Sequence, residues 1–314
     1  MTFEFCVVDL DQLSSSYEYK SWSYIDFDHP TTFNTLAMER AKKKEIMDDL
    51  DAFRTNRDFY RRTGKPWKRG YLLYGPPGTG KSTMVASMAN YLDYDIYDIE
   101  LTSVHSNTDL RKLFIETTSK SIIVIEDIDC SLDLTGARNK KKAPAAEDDK
   151  KDGAAAAAAK AAGDKNKDTS SKVTLSGLLN FIDGLWSACG GERIIVFTTN
   201  HVQKLDPALI RRGRMDKHIE MSYCGFEAFK FLAKTYLDVD AHALFGAVGE
   251  LLREVEMTPA EVAENLTPKG PGEDADSCLA ALVEALQDAK EEALAKKAKK
   301  GKGKEVAAAA ADEE

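Results

Sequence analysis

The sequence has few cysteines, and their placement excludes two kinds of architecture. Cys6, Cys130, Cys189, Cys224 and Cys278 are odd in number and widely scattered, with no CxxC pair. That pattern argues against a disulfide framework or a zinc site and points to a reducing compartment. No apolar run reaches the ~20 residues needed to cross a bilayer. The N-terminus, MTFEFCVVDLD, carries acids where a signal peptide would carry Lys or Arg. The chain as given therefore reads as lacking a transmembrane segment and as cytoplasmic. An excess of positive charge is missing too. Lys+Arg number 43 against Asp+Glu 52, a net charge of −9. General nucleic-acid binding needs basic surface to displace counterions, so no nucleic-acid partner is expected.

What is present is a core-forming chain of 314 residues, 43% hydrophobic and 30% charged. An amphipathic helix is predicted over Glu39 to Arg57, with Ile46, Leu50 and Phe53 at i, i+4 and i+7, stopping before Gly64 and Pro66. Short apolar runs follow at Tyr71–Tyr74, Ile96–Leu101, Ile122–Ile125, Ile194–Thr198 and Lys217–Met221. Helical patterns lie between them at Lys81–Leu92, Thr108–Thr118 and Leu175–Ser187. This alternation predicts an α/β fold, a parallel sheet with helices on both faces. From 136 to 172 the sequence becomes Lys/Asp/Ala-rich, including GAAAAAAKAAG, and predicts a disordered insertion. Its basic cluster Lys140–Lys142 is followed by Glu147, Asp148 and Asp149, the mark of a solvated loop. After Met221 only helical patterns remain. They lie at Phe226–Tyr236 and His242–Val255, at a capping box with proline on Thr258-Pro259-Ala260-Glu261, and from about Ser277 into a polar tail. The expected organisation is a remnant N-terminal segment (1–26), a core (27–221), a small helical lid (222–290) and a charged disordered tail (291–314).

The strongest motif is Gly75-Pro76-Pro77-Gly78-Thr79-Gly80-Lys81-Ser82-Thr83, which fits GxxxxGK[ST] in full between an apolar strand and a helix. Glycines let backbone N–H groups turn inward around phosphate oxygens, and the next helix points its positive end at the same anion. Lys81 can reach the β- and γ-phosphates of ATP, and the Ser82 hydroxyl can bind Mg²⁺. Ser121–Ile125 then ends in Glu126-Asp127, an acidic strand end. Glu126 is assigned to the metal and Asp127 to the attacking water by position; exchanging the two residue types changes reach by roughly 1.5 Å. Asp129 is read as a turn residue rather than a ligand.

The strand Arg193–Thr199 has a polar tip at Asn200, and LDPALIRRGRMD (Leu205–Asp216) resembles the second region of homology of AAA ATPases. The resemblance implies that Asn200 is the first sensor near the γ-phosphate. It also implies that Arg211 and Arg214 are arginine fingers acting on a neighbouring subunit, so a homo-oligomeric ring, a hexamer or heptamer, is expected. Further stretches, among them HPTTFNTLAM, SIIVIEDIDC and KVTLSGLLNFIDGLWS, are similar to the plant AAA-ATPase group. That group is related to the mitochondrial AAA chaperone that translocates the folded Rieske protein. The group shares the Glu-Asp order. Its members are often anchored in mitochondrial or endoplasmic-reticulum membrane through an N-terminal helix and a further domain, which this sequence is expected to lack.

The function implied is Mg-dependent ATP hydrolysis coupled to remodelling or translocation of a protein partner that the sequence does not name. The alternative is a nucleotide-binding assembly module with little turnover. A small-molecule kinase fits the Asn200, Arg211 and Arg214 arrangement less well. Thr102–Asn107, where many unfoldases carry an aromatic pore loop, has none; His105 is read as a solvated loop histidine in preference to a pore-lining one. The resemblance puts the adenine near the Pro30–Met38 linker, with Phe33 and Thr35 as candidates, and core packing explains Phe33 equally well.

Overall fold

A computed structural model describes residues 3–8, 21–130, 173–184, 191–270 and 272–311, the last stretch as backbone alone beyond 296. The predicted insertion at 136–172 lies outside these residues, as does Ser187, the expected end of one helix. Seven strands form one sheet in the order β2-β1-β4-β5-β6-β3-β7. They are β1 (Glu4–Val8), β2 (Trp22–Asp26), β3 (Lys68–Tyr74), β4 (Asp95–Glu100), β5 (Ser121–Glu126), β6 (Arg193–Thr199) and β7 (Lys217–Glu220). Every pairing is parallel except β1 with β2. β5 and β6 read as continuous apolar runs because helices cover both faces of a parallel sheet.

Successive residues of each strand point to opposite faces and build two cores. On one face Leu72, Ile123, Ile125, Ile195 and Phe197 pack beneath Leu110, Leu113, Leu178 and Ile182. Those four come from α4 (Asn107–Glu116) and α5 (Leu175–Asp183). On the other face Tyr71, Leu73, Val124 and Val196 meet Ile46, Leu50, Met84 and Met88. These belong to α1 (Arg40–Thr55) and α3 (Lys81–Leu92), with the short α2 (Arg57–Thr63) between them. The single helix expected up to Arg57 thus breaks at Asn56, and its continuation ends at Gly64, whose φ of 64° caps it.

The segment read as a remnant (1–26) contributes β1 and β2 to the sheet. Trp22 is anchored there by donating to the Leu113 carbonyl at 3.2 Å and by an edge contact with the Tyr97 ring, centroids 4.9 Å apart. Beyond β7 come four helices: α6 (Phe226–Leu237), α7 (Phe245–Glu254), α8 (Pro259–Leu266) and α9 (Ala275–Ala311). They share a third core around Phe229, Val248, Val262 and Leu282. The predicted capping box is formed: Thr258 Oγ1 accepts from Glu261 N at 3.3 Å, and Thr258 N donates to Glu261 Oε2 at 2.7 Å. The chain stays helical to Ala311, where a disordered tail from 291 was expected. Ala, Lys and Glu are strong helix formers, and their propensity favours a continued helix.

Candidate active site

β3 runs straight into the glycine-rich loop, and α3 leaves it. Gly80 precedes α3 with φ of 89°, a left-handed conformation that a side chain would strain. Lys81, the first residue of α3, turns its ammonium back over the loop. Its Nζ donates to the Gly75 carbonyl at 2.9 Å, the Pro76 carbonyl at 3.0 Å and Asn200 Oδ1 at 2.7 Å. Burial lowers its pKa, opposed by the charges of Asp127 and Asp129.

β5 and β6 are adjacent, so their C-terminal ends bring the acids and Asn200 to the same edge as the loop, where open parallel sheets hold ligands. Asn200 bridges the two sides: besides accepting from Lys81, its Nδ2 donates to Asp127 Oδ1 at 3.2 Å. Asp127 sits at φ of 42°, unusual for a residue with a side chain, and its N–H is held by Thr198 Oγ1 at 3.0 Å. Asp129 is engaged by the end of β6. Its Oδ1 accepts from Thr199 Oγ1 at 2.7 Å and from Asn200 N at 3.2 Å, consistent with a turn residue that holds Asn200 in place. Glu126 hydrogen-bonds Ser82. Burial, then Asp127 and Glu100, push its carboxyl pKa up.

Sequence reasoning passed over Asp98 of β4. One of its carboxyl oxygens is buried without a hydrogen-bond partner. Burial, with Glu126 and Glu100 close by, raises its pKa from 3.8 to about 7. A raised carboxyl pKa favours the folded state at acid pH, and that contribution is lost as pH rises from about 4 to about 7. Asp98→Asn keeps the shape without the charge. In metal-free, nucleotide-free buffer it should stabilise the fold by roughly 1–3 kcal/mol at pH 8. The gain should grow between pH 5 and pH 7 and then level off in thermal-denaturation midpoints. A gain that does not vary with pH would refute the charge as its cause.

Arg211 and Arg214 lie elsewhere. Both donate to Asp183 Oδ2, at 2.7 and 2.6 Å, while Lys68 pairs with its other oxygen at 3.3 Å. Among the described residues neither arginine contacts the loop, Glu126 or Asp127. Burial alone would raise the Asp183 pKa, but the two arginines and Lys68 bring it below the ordinary value. Asp183 is a second residue the motifs did not reveal.

A cavity of about 280 Å³ opens beside Thr79, lined in part by Ala37, Met38, Met221, Ala228 and Pro259. It lies where α8 meets the loop, Ala260 N donating to the Gly78 carbonyl at 3.2 Å. The linker therefore reaches this cavity through Ala37 and Met38. Phe33 instead is buried against the Tyr91 ring, and Thr35 closes a turn on Thr32. In the 102–107 segment, Val104 is buried and Ser106 caps α4, which leaves His105 exposed.

A family model described as "ATPase family associated with various cellular activities (AAA)" matches residues 71–150 and 152–223. A second, "At3g28540-like, AAA+ ATPase lid domain", matches 224–300. The chain is similar to AAA-ATPase At3g28580 of Arabidopsis thaliana, 68% identical over 277 residues, 88% of this chain and 55% of the relative. It is also similar to AAA-ATPase ASD, mitochondrial, from the same plant, 62% identical over 281 residues, 88% of this chain and 54% of the relative. The chain spans about half the length of the curated relatives it matches. Among the described residues no helix is long and apolar enough to cross a membrane.

Proposed function

This chain belongs to the AAA ATPase family, and we propose that it hydrolyses ATP as one subunit of a ring, a hexamer or heptamer, that remodels or translocates a protein partner. The observation that carries this is the Lys81–Asn200–Asp127 chain across the mouth of the glycine-rich loop. In this reading residues 75–83 hold the phosphates, and Lys81 meets the β- and γ-phosphates. Asn200 holds the water, Asp127 takes its proton, and Arg211 and Arg214 serve the neighbouring subunit's nucleotide. The base occupies the cavity between core (27–221) and lid (222–290), against Ala37, Met38 and Pro259.

The donor set fits Mg²⁺. A hydroxyl (Ser82) and a carboxylate (Glu126) are already paired, and the orphaned Asp98 oxygen adds to a local surplus of negative charge. Among the described residues no three His, Cys, Asp or Glu side chains converge as a complete metal cage. That agrees with Mg²⁺, which usually keeps waters and shares phosphate oxygens. When bound, the ion would neutralise phosphate charge; Ser82 and Glu126 would hold it, Glu126 through water.

A second reading, a nucleotide-binding assembly module with little turnover, is favoured by one observation. Arg211 and Arg214 are both engaged within their own chain at Asp183. ATPase rate per subunit, followed against protein concentration, separates the two. We expect a cooperative rise as subunits assemble. Asp127→Asn should keep nucleotide binding while losing about 10²–10⁴-fold in turnover. Absence of turnover at every concentration would reject the enzymatic reading, a per-subunit rate independent of assembly would reject the ring, and full turnover in Asp127→Asn would remove Asp127 as the base.

A further inference from the structure

The turn that carries Arg211 and Arg214 is fastened to β3, the strand that leads into the phosphate loop. Asp216, two residues past Arg214, makes most of the attachment. Its Oδ2 accepts from Gly70 N at 3.0 Å and its Oδ1 from Gly213 N at 2.9 Å. Its own N–H donates to the Gly70 carbonyl at 2.8 Å. One carboxylate thus ties the middle of β3 to the glycine between the two arginines.

Gly70 has no special backbone conformation; what it provides is room. A β-carbon built there would lie 1.7 Å from the Arg214 carbonyl oxygen and 2.7 Å from the Arg214 carbonyl carbon. Both are backbone atoms, so no side-chain rotation relieves the overlap. The arginine turn can occupy its place only because position 70 is bare. Two residues earlier on the same face of β3, Lys68 pairs with Asp183, the carboxylate that holds both guanidinium groups.

We infer that Gly70 and Asp216 are positioning residues for the arginine pair, setting from a subunit's own β3 where its guanidinium groups stand for the next subunit. The inference rests on the reading that Arg211 and Arg214 act in trans. A carbon–oxygen contact needs about 3.3 Å, so Gly70→Ala must push the turn by more than 1 Å, and a displacement of about 1 Å can cost roughly 10²-fold in rate.

The test mixes two subunits that are each inactive alone. The donor carries Asp127→Asn, with arginines intact and its own site silent. The acceptor carries Arg211→Ala with Arg214→Ala, its site intact and its arginines gone. Mixed assemblies should recover Mg-ATP hydrolysis wherever a donor arginine meets an acceptor site. Gly70→Ala placed in the donor should lower the recovered rate by about 10²-fold. Placed in the acceptor it should leave the rate unchanged, since the displaced turn there carries no arginine. Asp216→Ala should repeat the asymmetry without adding bulk, and binding of a fluorescent ATP analogue reports folding in every variant. Absence of recovery in the unsubstituted mixture would remove the trans reading and this inference with it. Recovery that falls equally in both arms, or in neither, would overturn the positioning role alone. So would loss of analogue binding in both Gly70→Ala and Asp216→Ala.

Discussion

Replacing Arg211 and Arg214 together by alanine is expected to lower ATP turnover by about 10³-fold or more while leaving nucleotide binding near its original level, because arginine fingers act on transition-state charge. The two should not contribute alike. Arg211 is 59% exposed along its side chain and Arg214 only 11%. Arg214 is also tied to the Ala208 carbonyl, so it braces the turn as well as carrying charge. Arg211 can leave Asp183 without stranding a bare carboxylate, because Arg214 and Lys68 remain on it. Arg211→Ala alone should therefore reproduce most of the rate loss with little change in thermal midpoint. Arg214→Ala should lose rate and stability together. The checks are kcat at saturating Mg-ATP, nucleotide affinity, and the melting temperature of each variant. A double variant that turns over at the original rate would remove the arginines from catalysis.

The parts of this site that lie next to one another in the chain were legible in the sequence; those joined only by folding were not. The glycine loop, Glu126-Asp127 and Asn200 each sit at the end of an apolar run, and a strand buried on both faces announces itself by composition. The two N-terminal strands do not. EFCVV and WSYID are five residues long with largely exposed outer positions. Their place depends on backbone pairing, β1 with β4 and β2 with β1, which no side-chain period records. Asp183 lies 28 residues before Arg211, and nothing in its own neighbourhood marks it as the carboxylate on which both arginines converge. Asp98 falls in DIYDIE, where alternation reads as an ordinary half-exposed strand; its raised pKa follows from burial and from Glu126 at the end of the parallel neighbour β5. Of the linker, Ala37 and Met38 rather than Phe33 or Thr35 line the cavity beside Thr79, because Phe33 is drawn into the core and Thr35 is spent on a turn.

Lys81→Ala is expected to weaken ATP binding by about 10²–10⁴-fold, since charge-assisted hydrogen bonds contribute about 1.5–3 kcal/mol each and about two would be lost. The three N–H groups of the ammonium are satisfied by the carbonyls of Gly75 and Pro76 and by Asn200. A phosphate has only to exchange neutral acceptors for charged ones, with no rearrangement of the loop. Burial disfavours the charged ammonium, so an arriving anion restores what desolvation removes. Ligand-dependent stabilisation offers a second measurement. At a hundredfold excess over Kd the original protein should gain about 2.7 kcal/mol, and the variant at the same ATP concentration well under half of that. Lys81→Arg separates charge from shape, because a planar guanidinium cannot place its donors where a compact ammonium does. It should lose affinity almost as fully as alanine. If Lys81→Arg binds like the original, a positive charge at this position suffices. If Lys81→Ala does too, the loop between β3 and α3 is not where the triphosphate sits, and the Lys81–Asn200–Asp127 chain is a structural brace.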